Sequence, residues 1–252
     1  MAGKVRIGTS GWSYSHWLKG AFYADGVRGG DCLGYYAGHF PSVEINSTYY
    51  RLPRPSFAEK WFANTPEDFV FAVKMWQMVT HRKRLAGVEG DLESFFSACR
   101  GLGSKFGPLL IQLPPSFHKD LRRLGEFAAA CEQLWQRHLP PRPGRVAVEF
   151  RHTSWNDDQT RGLLSRPGWS LVLADMGDFA IDEPLGQGFI YIRRHGPAGG
   201  DTSYSDRQLR ALADRIAGWS AAGRDVYVYF NNDAHAHAPH NAAALMEIVG
   251  RR

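Results

Sequence analysis

Residues 145–155 read RVAVEFRHTSW. From Val146 to Phe150 apolar side chains recur at every second position, the period of a β-strand whose successive side chains point to opposite faces. Val146, Val148 and Phe150 make one face apolar, while Glu149 and Arg151 stand on the other. A buried ion costs several kcal/mol unless it is paired or used, so an ordinary core strand does not carry this pair without reason. A closed barrel supplies one, because alternate residues point into its lumen and active sites form where the carboxyl-terminal strand ends meet.

The rest of the chain decides whether there is a barrel. Short β-branched or aromatic runs bounded by Gly, Pro, Asp or Asn fall at 5–9, 43–47, 69–74, 108–113, 145–150, 170–175, 188–193 and 225–230. Helical stretches lie between most of them. Leu92, Phe95, Phe96, Cys99 and Leu102 share a face over 91–104, and Leu121, Leu124, Phe127, Cys131 and Leu134 do so over 120–138. Over 205–221 Leu209, Leu212, Ile216 and Trp219 align, with Ser205 and Gln208 at capping-box spacing. Phe57 and Trp61 mark a shorter helix, 31–40 offers a brief one, and 176–187 offers none. Eight strands alternating with helices predict an α/β protein, a single (β/α)8 TIM-like barrel over 1–252, irregular around its first and sixth βα units. The rival, a doubly wound dinucleotide-binding sheet, needs a glycine-rich turn after its first strand, and GTSGWSY does not supply G-x-G-x-x-G.

Period 2 applied to each strand sends polar groups to one mouth. Glu44 and Asn46 face inward on strand two, Lys74 on strand three, Gln112 on strand four, and Glu149 with Arg151 on strand five. Leu171, Leu173 and Asp175 share the face assigned inward on strand six. Arg193 and His195 follow on strand seven, and Asn231 with Asn232 at the end of strand eight. Lower inward positions, Ala72, Leu110, Ala147 and Leu171, are apolar. Trp12, Tyr14, Tyr49, His81 and Trp155 lie on loops around the same end, as stacking walls for a ligand.

Composition narrows the function classes. Apolar residues make up 44% and charged residues 22%, ordinary for a folded domain. Cys32, Cys99 and Cys131 are too few and scattered for a disulfide framework and are expected as reduced thiols. The start MAGKVRIGT lacks a secretory apolar stretch, and no uncharged run nears the ~18–20 residues of a membrane span, so a cytoplasmic protein without membrane contact is expected. The net charge of +5 points weakly to nucleic acid, because 23 of 30 basic residues are Arg and they are dispersed along the chain. Attraction of a small anion needs only a few of them near one site.

The segments GTSGWSYSHW, FPSVEINSTYYRLP, FVFAVKMWQMVTH, GPLLIQLPPSF, AVEFRHTSW, YIRRHG and DVYVYFNND together resemble the YecE-like family, bacterial proteins of the domain of unknown function 72. The resemblance implies a TIM-like barrel and no assigned reaction. Its motifs emphasise Glu44, Asn46, Lys74, Gln112, Glu149, Arg151, Arg193, His195 and Asn231, the positions that alternation turns inward.

The leading expectation is an enzyme, a hydrolase or isomerase acting on a small anionic substrate, phosphorylated ones included. Glu44, Glu149 and Asp175 are the candidate acid and base groups and Lys74 a charge stabiliser or nucleophile. Trp12, Tyr14, Asn46, Tyr49, His81, Gln112, Arg151, Trp155, Arg193, His195, Asn231 and Asn232 are the candidate substrate-binding residues, helped by the glycines of HGPAGG. No cofactor motif is present. Two alternatives stay open. One is a divalent-metal hydrolase, on Glu44, Glu149, Asp175 and His195 or on Asp233, His235, His237 and His240. The other is a nucleotide- or nucleic-acid-binding protein without catalysis.

Overall fold

The computed structural model describes residues 1–140, 144–176, 181, 183–184, 188–197 and 202–251. Eight parallel strands form a nearly closed barrel: β1 (Val5–Thr9), β2 (Ser42–Ile45), β3 (Val70–Lys74), β4 (Phe106–Gln112), β5 (Val146–Glu149), β6 (Trp169–Ala174), β7 (Ile190–Arg194) and β8 (Val226–Phe230). Neighbours pair in the order β1-β8-β7-β6-β5-β4-β3-β2. Helices α1 (Asp31–Ala37), α2 (Ser47–Tyr50), α3 (Pro55–Ala63), α4 (Glu89–Cys99), α5 (Leu121–His138), α6 (Asp158–Leu164), α7 (Asp206–Ala221) and α8 (His237–Gly250) pack outside. The predicted helix over 91–104 ends earlier, in a 3-10 stretch (Arg100–Lys105) broken at Gly103. Between β6 and β7 the described residues form no helix, and most of the connection lies outside them.

Two apolar layers follow from the alternation. Val43, Ile45, Phe71, Val73, Leu109, Ile111, Val146, Val148, Val226 and Val228 pack outward against the helices. Ala72, Leu110, Ala147, Val172, Ala174, Tyr191, Tyr227 and Tyr229 fill the lower lumen. Strand six is one residue out of phase with its sequence reading. Val172 pairs with Tyr191 and Ala174 with Arg193, so these face inward, whereas Leu171 and Leu173 join the outer core. A strand apolar on both faces gives alternation nothing to read.

β4 holds a second irregularity. Phe71 pairs with Phe106 but Val73 with Leu109, so β4 carries one extra residue at Gly107–Pro108. Pro108 has no N–H for the ladder, and a Cβ on Gly107 would lie 2.3 Å from Val70 Cγ1.

The seam between β1 and β2 is closed differently from the other seven. Its strand pairing is one bridge, Ser10 to Glu44. Tyr36 of α1 replaces the missing ladder: its hydroxyl accepts from the Thr9 N–H at 2.9 Å and donates to the Ser42 carbonyl at 3.0 Å. Gly8 lets the strands come this close, since a Cβ there would sit 2.0 Å from the Ser42 carbonyl oxygen. A Tyr36→Phe variant is therefore expected to lose about 1–3 kcal/mol in urea unfolding, the cost of orphaned buried backbone groups. Wild-type stability in that variant would refute the stitch.

Candidate active site

Above the lumen's apolar floor the strand ends deliver a charged layer. Arg193, on β7, is buried to 1% exposure and holds both carboxylates. Its Nε and Nη2 donate to Glu44 at 3.1 and 2.9 Å, and its Nη1 donates to Glu149 Oε2 at 2.7 Å and to Gln112 Oε1 at 3.4 Å. Glu44 also accepts from the hydroxyls of Ser10 and Tyr191, each at 2.7 Å. Glu149 Oε1 is ion-paired with Arg151 and lies 4.0 Å from His195 Nε2.

These contacts change what the two glutamates offer. Glu44 is fully buried and its oxygens already accept four hydrogen bonds. Burial pushes its pKa up, but Arg193 and the donated hydrogen bonds pull harder and leave it below the ordinary value. The same contest, with Arg193 and Arg151 winning over burial, holds Glu149 at about 2. Glu149 is 1% exposed, which does not suit the acid or base role expected of it. Both are fixed anions around a guanidinium, poorly suited to carry a proton at neutral pH.

Lys74 is the counterpoint. It ends β3, inward and half-buried; its carbonyl accepts from the Thr48 hydroxyl at 2.7 Å, but among the described residues its ammonium makes no hydrogen bond or ion pair. Its ammonium lies over the Tyr49 ring, 4.5 Å from the centroid. Burial and the Arg193 charge lower its pKa to about 8, with Glu44 and Glu149 offsetting only part. Two carboxylates thus face Lys74, Arg151 and Arg193, leaving one positive charge over. His81, edge-on to Tyr49 at 5.0 Å, is lowered to about 4 by burial and by Lys74. His195 is lowered to about 4 by burial and Arg193, and its Nδ1 lies 3.1 Å from Asn231 Nδ2. Arg151 Nη2 is 3.4 Å from His195 Nε2. Asn46 donates to the Ser10 carbonyl at 3.4 Å beside Tyr14, whose hydroxyl donates to the same oxygen.

Four candidates lie elsewhere. Asp175 continues the outer phase of β6; it accepts from the His195 N–H at 2.8 Å and pairs with Arg194 and Tyr204. It is no part of the Glu44–Arg193–Glu149 cluster. Trp155 is 1% exposed, stacked 4.5 Å from Phe150, with Nε1 donating to the Phe117 carbonyl at 2.8 Å. It is a core ring, not a ligand wall. Asn232 is buried and donates to Asn241 and the Thr202 carbonyl, because the alternation of β8 ends at Phe230. Trp12 turns away from the lumen, edge-on to Trp61 at 5.5 Å. Ser10 and Tyr191 had no place among the candidates; Tyr191 was legible as the inward residue two before Arg193, and Ser10 carried no signal.

Among the described residues no three His, Cys, Asp or Glu side chains converge to hold a metal ion. Asp233 instead accepts from Trp17 Nε1, and His240 Nε2 lies 2.8 Å from the Ala21 carbonyl. Ala198, Gly199 and Gly200 of HGPAGG lie outside the described residues. No helix among the described residues is long and apolar enough to cross a membrane.

The shifted groups give stability a definite pH dependence. The ionised Glu149 contributes above the ordinary carboxylate range, and its share is lost as pH falls through about 2. His81 and His195 stay neutral down to about 4 while the unfolded chain takes up protons from about 6.5. Both contributions have one sign, so urea-unfolding stability is expected to rise with pH from 2 to 6.5, and Glu149→Gln to flatten the part below about 4.5. A flat profile between pH 4 and 7 would contradict the burial of the two imidazoles.

Comparison with known proteins places the sequence. The family described as "Protein of unknown function DUF72" matches over residues 6–252. The UPF0759 protein YunF of Bacillus subtilis is 25% identical over 97% of this chain and 94% of its own length. The UPF0759 protein YecE of Escherichia coli is 29% identical over 68% of this chain and 59% of its own. A crystal structure of a DUF72 family protein from Thermotoga maritima superposes with a TM-score of 0.78 at 29% identity, covering 98% of this chain and 99% of that one.

Proposed function

The chain belongs to the DUF72 family, whose description assigns no reaction, and we propose that it is an enzyme binding a small anionic substrate at the carboxyl-terminal mouth of the barrel. One observation carries this reading: Lys74 stands at the mouth without a carboxylate partner, because Glu44 and Glu149 are already held by Arg193 and Arg151. A desolvated charge left over is unfavourable for the fold and favourable for an anion that replaces its missing partner. Arg151, 13% exposed at its side chain, and His195 beside it are placed to share that anion.

Lys74 is also the group best suited to chemistry. An amine titrating near 8 exists in both forms near neutral pH and gives or takes a proton there, as a hydrolase or isomerase requires. Glu44 and Glu149 serve by fixing Arg193 and setting the field around the amine. A thermal-shift screen of phosphorylated and carboxylated metabolites other than nucleotides tests the proposal. Ligands that stabilise the wild type should fail to stabilise Lys74→Met and Arg151→Ala. A substrate turned over at the wild-type rate by Lys74→Met would remove the assignment.

A further inference from the structure

A concavity lies on the β1–β2 side of the molecule. Its volume is about 850 Å³, within the range of sites for nucleotide-sized ligands. Trp12 from the β1–α1 connection and Phe57 and Trp61 from α3 supply its rings, and Arg51, Arg54 and Lys60 supply its charge. No carboxylate among the described residues lines it. None of the mouth cations Lys74, Arg151 and Arg193 lines it either, so it is a separate site.

This face brings rings and exposed cations together. Of the lining rings, Phe57 is a large apolar side chain left 47% exposed. Arg51, Arg54 and Lys60 are exposed, and among the described residues none makes an ion pair. Lys60 instead lies over the Phe57 ring, 6.0 Å from its centroid. Flat apolar faces beside unpaired cations match a ligand with a planar ring at one end and negative charge at the other. A sugar lacks the charge, and a simple oxyanion leaves the rings uncovered.

We propose that this cleft binds a mononucleotide, its base against Trp61, Phe57 and Trp12 and its phosphates on Arg51, Arg54 and Lys60. The site is independent of the anion site at the mouth. Calorimetric titration of the full chain with AMP, ADP and ATP tests it, using Arg51→Ala/Arg54→Ala, Phe57→Ala and Lys74→Met variants. All three nucleotides should saturate the wild type. The double variant and Phe57→Ala should each weaken binding about tenfold or more, and Lys74→Met should leave it unchanged. Adenosine and inorganic phosphate should each bind at least about tenfold more weakly than AMP. Absence of saturable nucleotide binding overturns the proposal, as does binding lost in Lys74→Met but kept in the cleft variants. A single-stranded oligonucleotide that binds through the same residues far more tightly than any mononucleotide also overturns it. Because Arg51, Arg54 and Phe57 are exposed, circular dichroism should show the cleft variants folded as the wild type.

Discussion

An Arg193→Met variant is expected to lose about 3–5 kcal/mol of stability at pH 7, the range for removing one partner from a buried ionic cluster. Arg193 is the donor common to Glu44, Glu149 and Gln112, and both glutamates are fully buried. Without it Glu44 keeps only the Ser10 and Tyr191 hydroxyls, and Glu149 keeps only Arg151. Each carboxyl must then take up a proton or sit charged in an apolar surrounding. The loss should be smaller at pH 4, where protonation is easier, which separates a charge effect from a packing defect. For a chain of this length it corresponds to roughly 6–20 °C in Tm. Adding Glu44→Gln and Glu149→Gln to Arg193→Met should recover part of it, since no buried charge is then left uncompensated. A loss below about 1 kcal/mol would show that water reaches the cluster.

Lys74→Met should act in the opposite direction on stability and weaken ligand binding. At pH 7 the amine is charged in both folded and unfolded chains, but its folded pKa of about 8 shows that the fold disfavours that charge. A depressed base costs stability below its folded value, and the cost disappears as pH rises towards the ordinary lysine range. Removing the charge is therefore expected to raise stability at pH 7 by roughly 1–3 kcal/mol, measured by urea unfolding. Affinity for an anionic ligand should fall about a hundredfold, as for the loss of a charged partner in a desolvated site. A more stable and inactive variant is what a residue kept for function produces. Destabilisation by more than about 1 kcal/mol would make Lys74 a structural residue.

How far the sequence led is clearest strand by strand. Glu44, Lys74, Gln112, Glu149 and Arg193 were legible because each strand pairs a wholly apolar face with a mixed one. β6 defeated the same rule: both its faces are buried, so Asp175 was assigned to the lumen when it belongs with Tyr204 and Arg194 outside it. Trp155 misled because an aromatic ring just past a strand end is equally able to wall a site or to fold back on Phe150. The partner of Glu44 was not legible at all. Lys74 is the cation on the adjacent strand, whereas the partner, Arg193, comes from 149 positions along the chain across the barrel. Spacing along a strand tells which face a residue takes; it does not tell which residue meets it across a lumen.

The central claim is that Lys74 is an unpaired, desolvated amine awaiting an anion. The most direct measurement is the pKa of its Nζ by ¹⁵N NMR, first in phosphate-free buffer and then with inorganic phosphate added. The account predicts a value near 8 without phosphate that moves upward as phosphate binds, because an anion favours the charged form. A value at the ordinary lysine pKa of about 10.4, unmoved by phosphate, would contradict it.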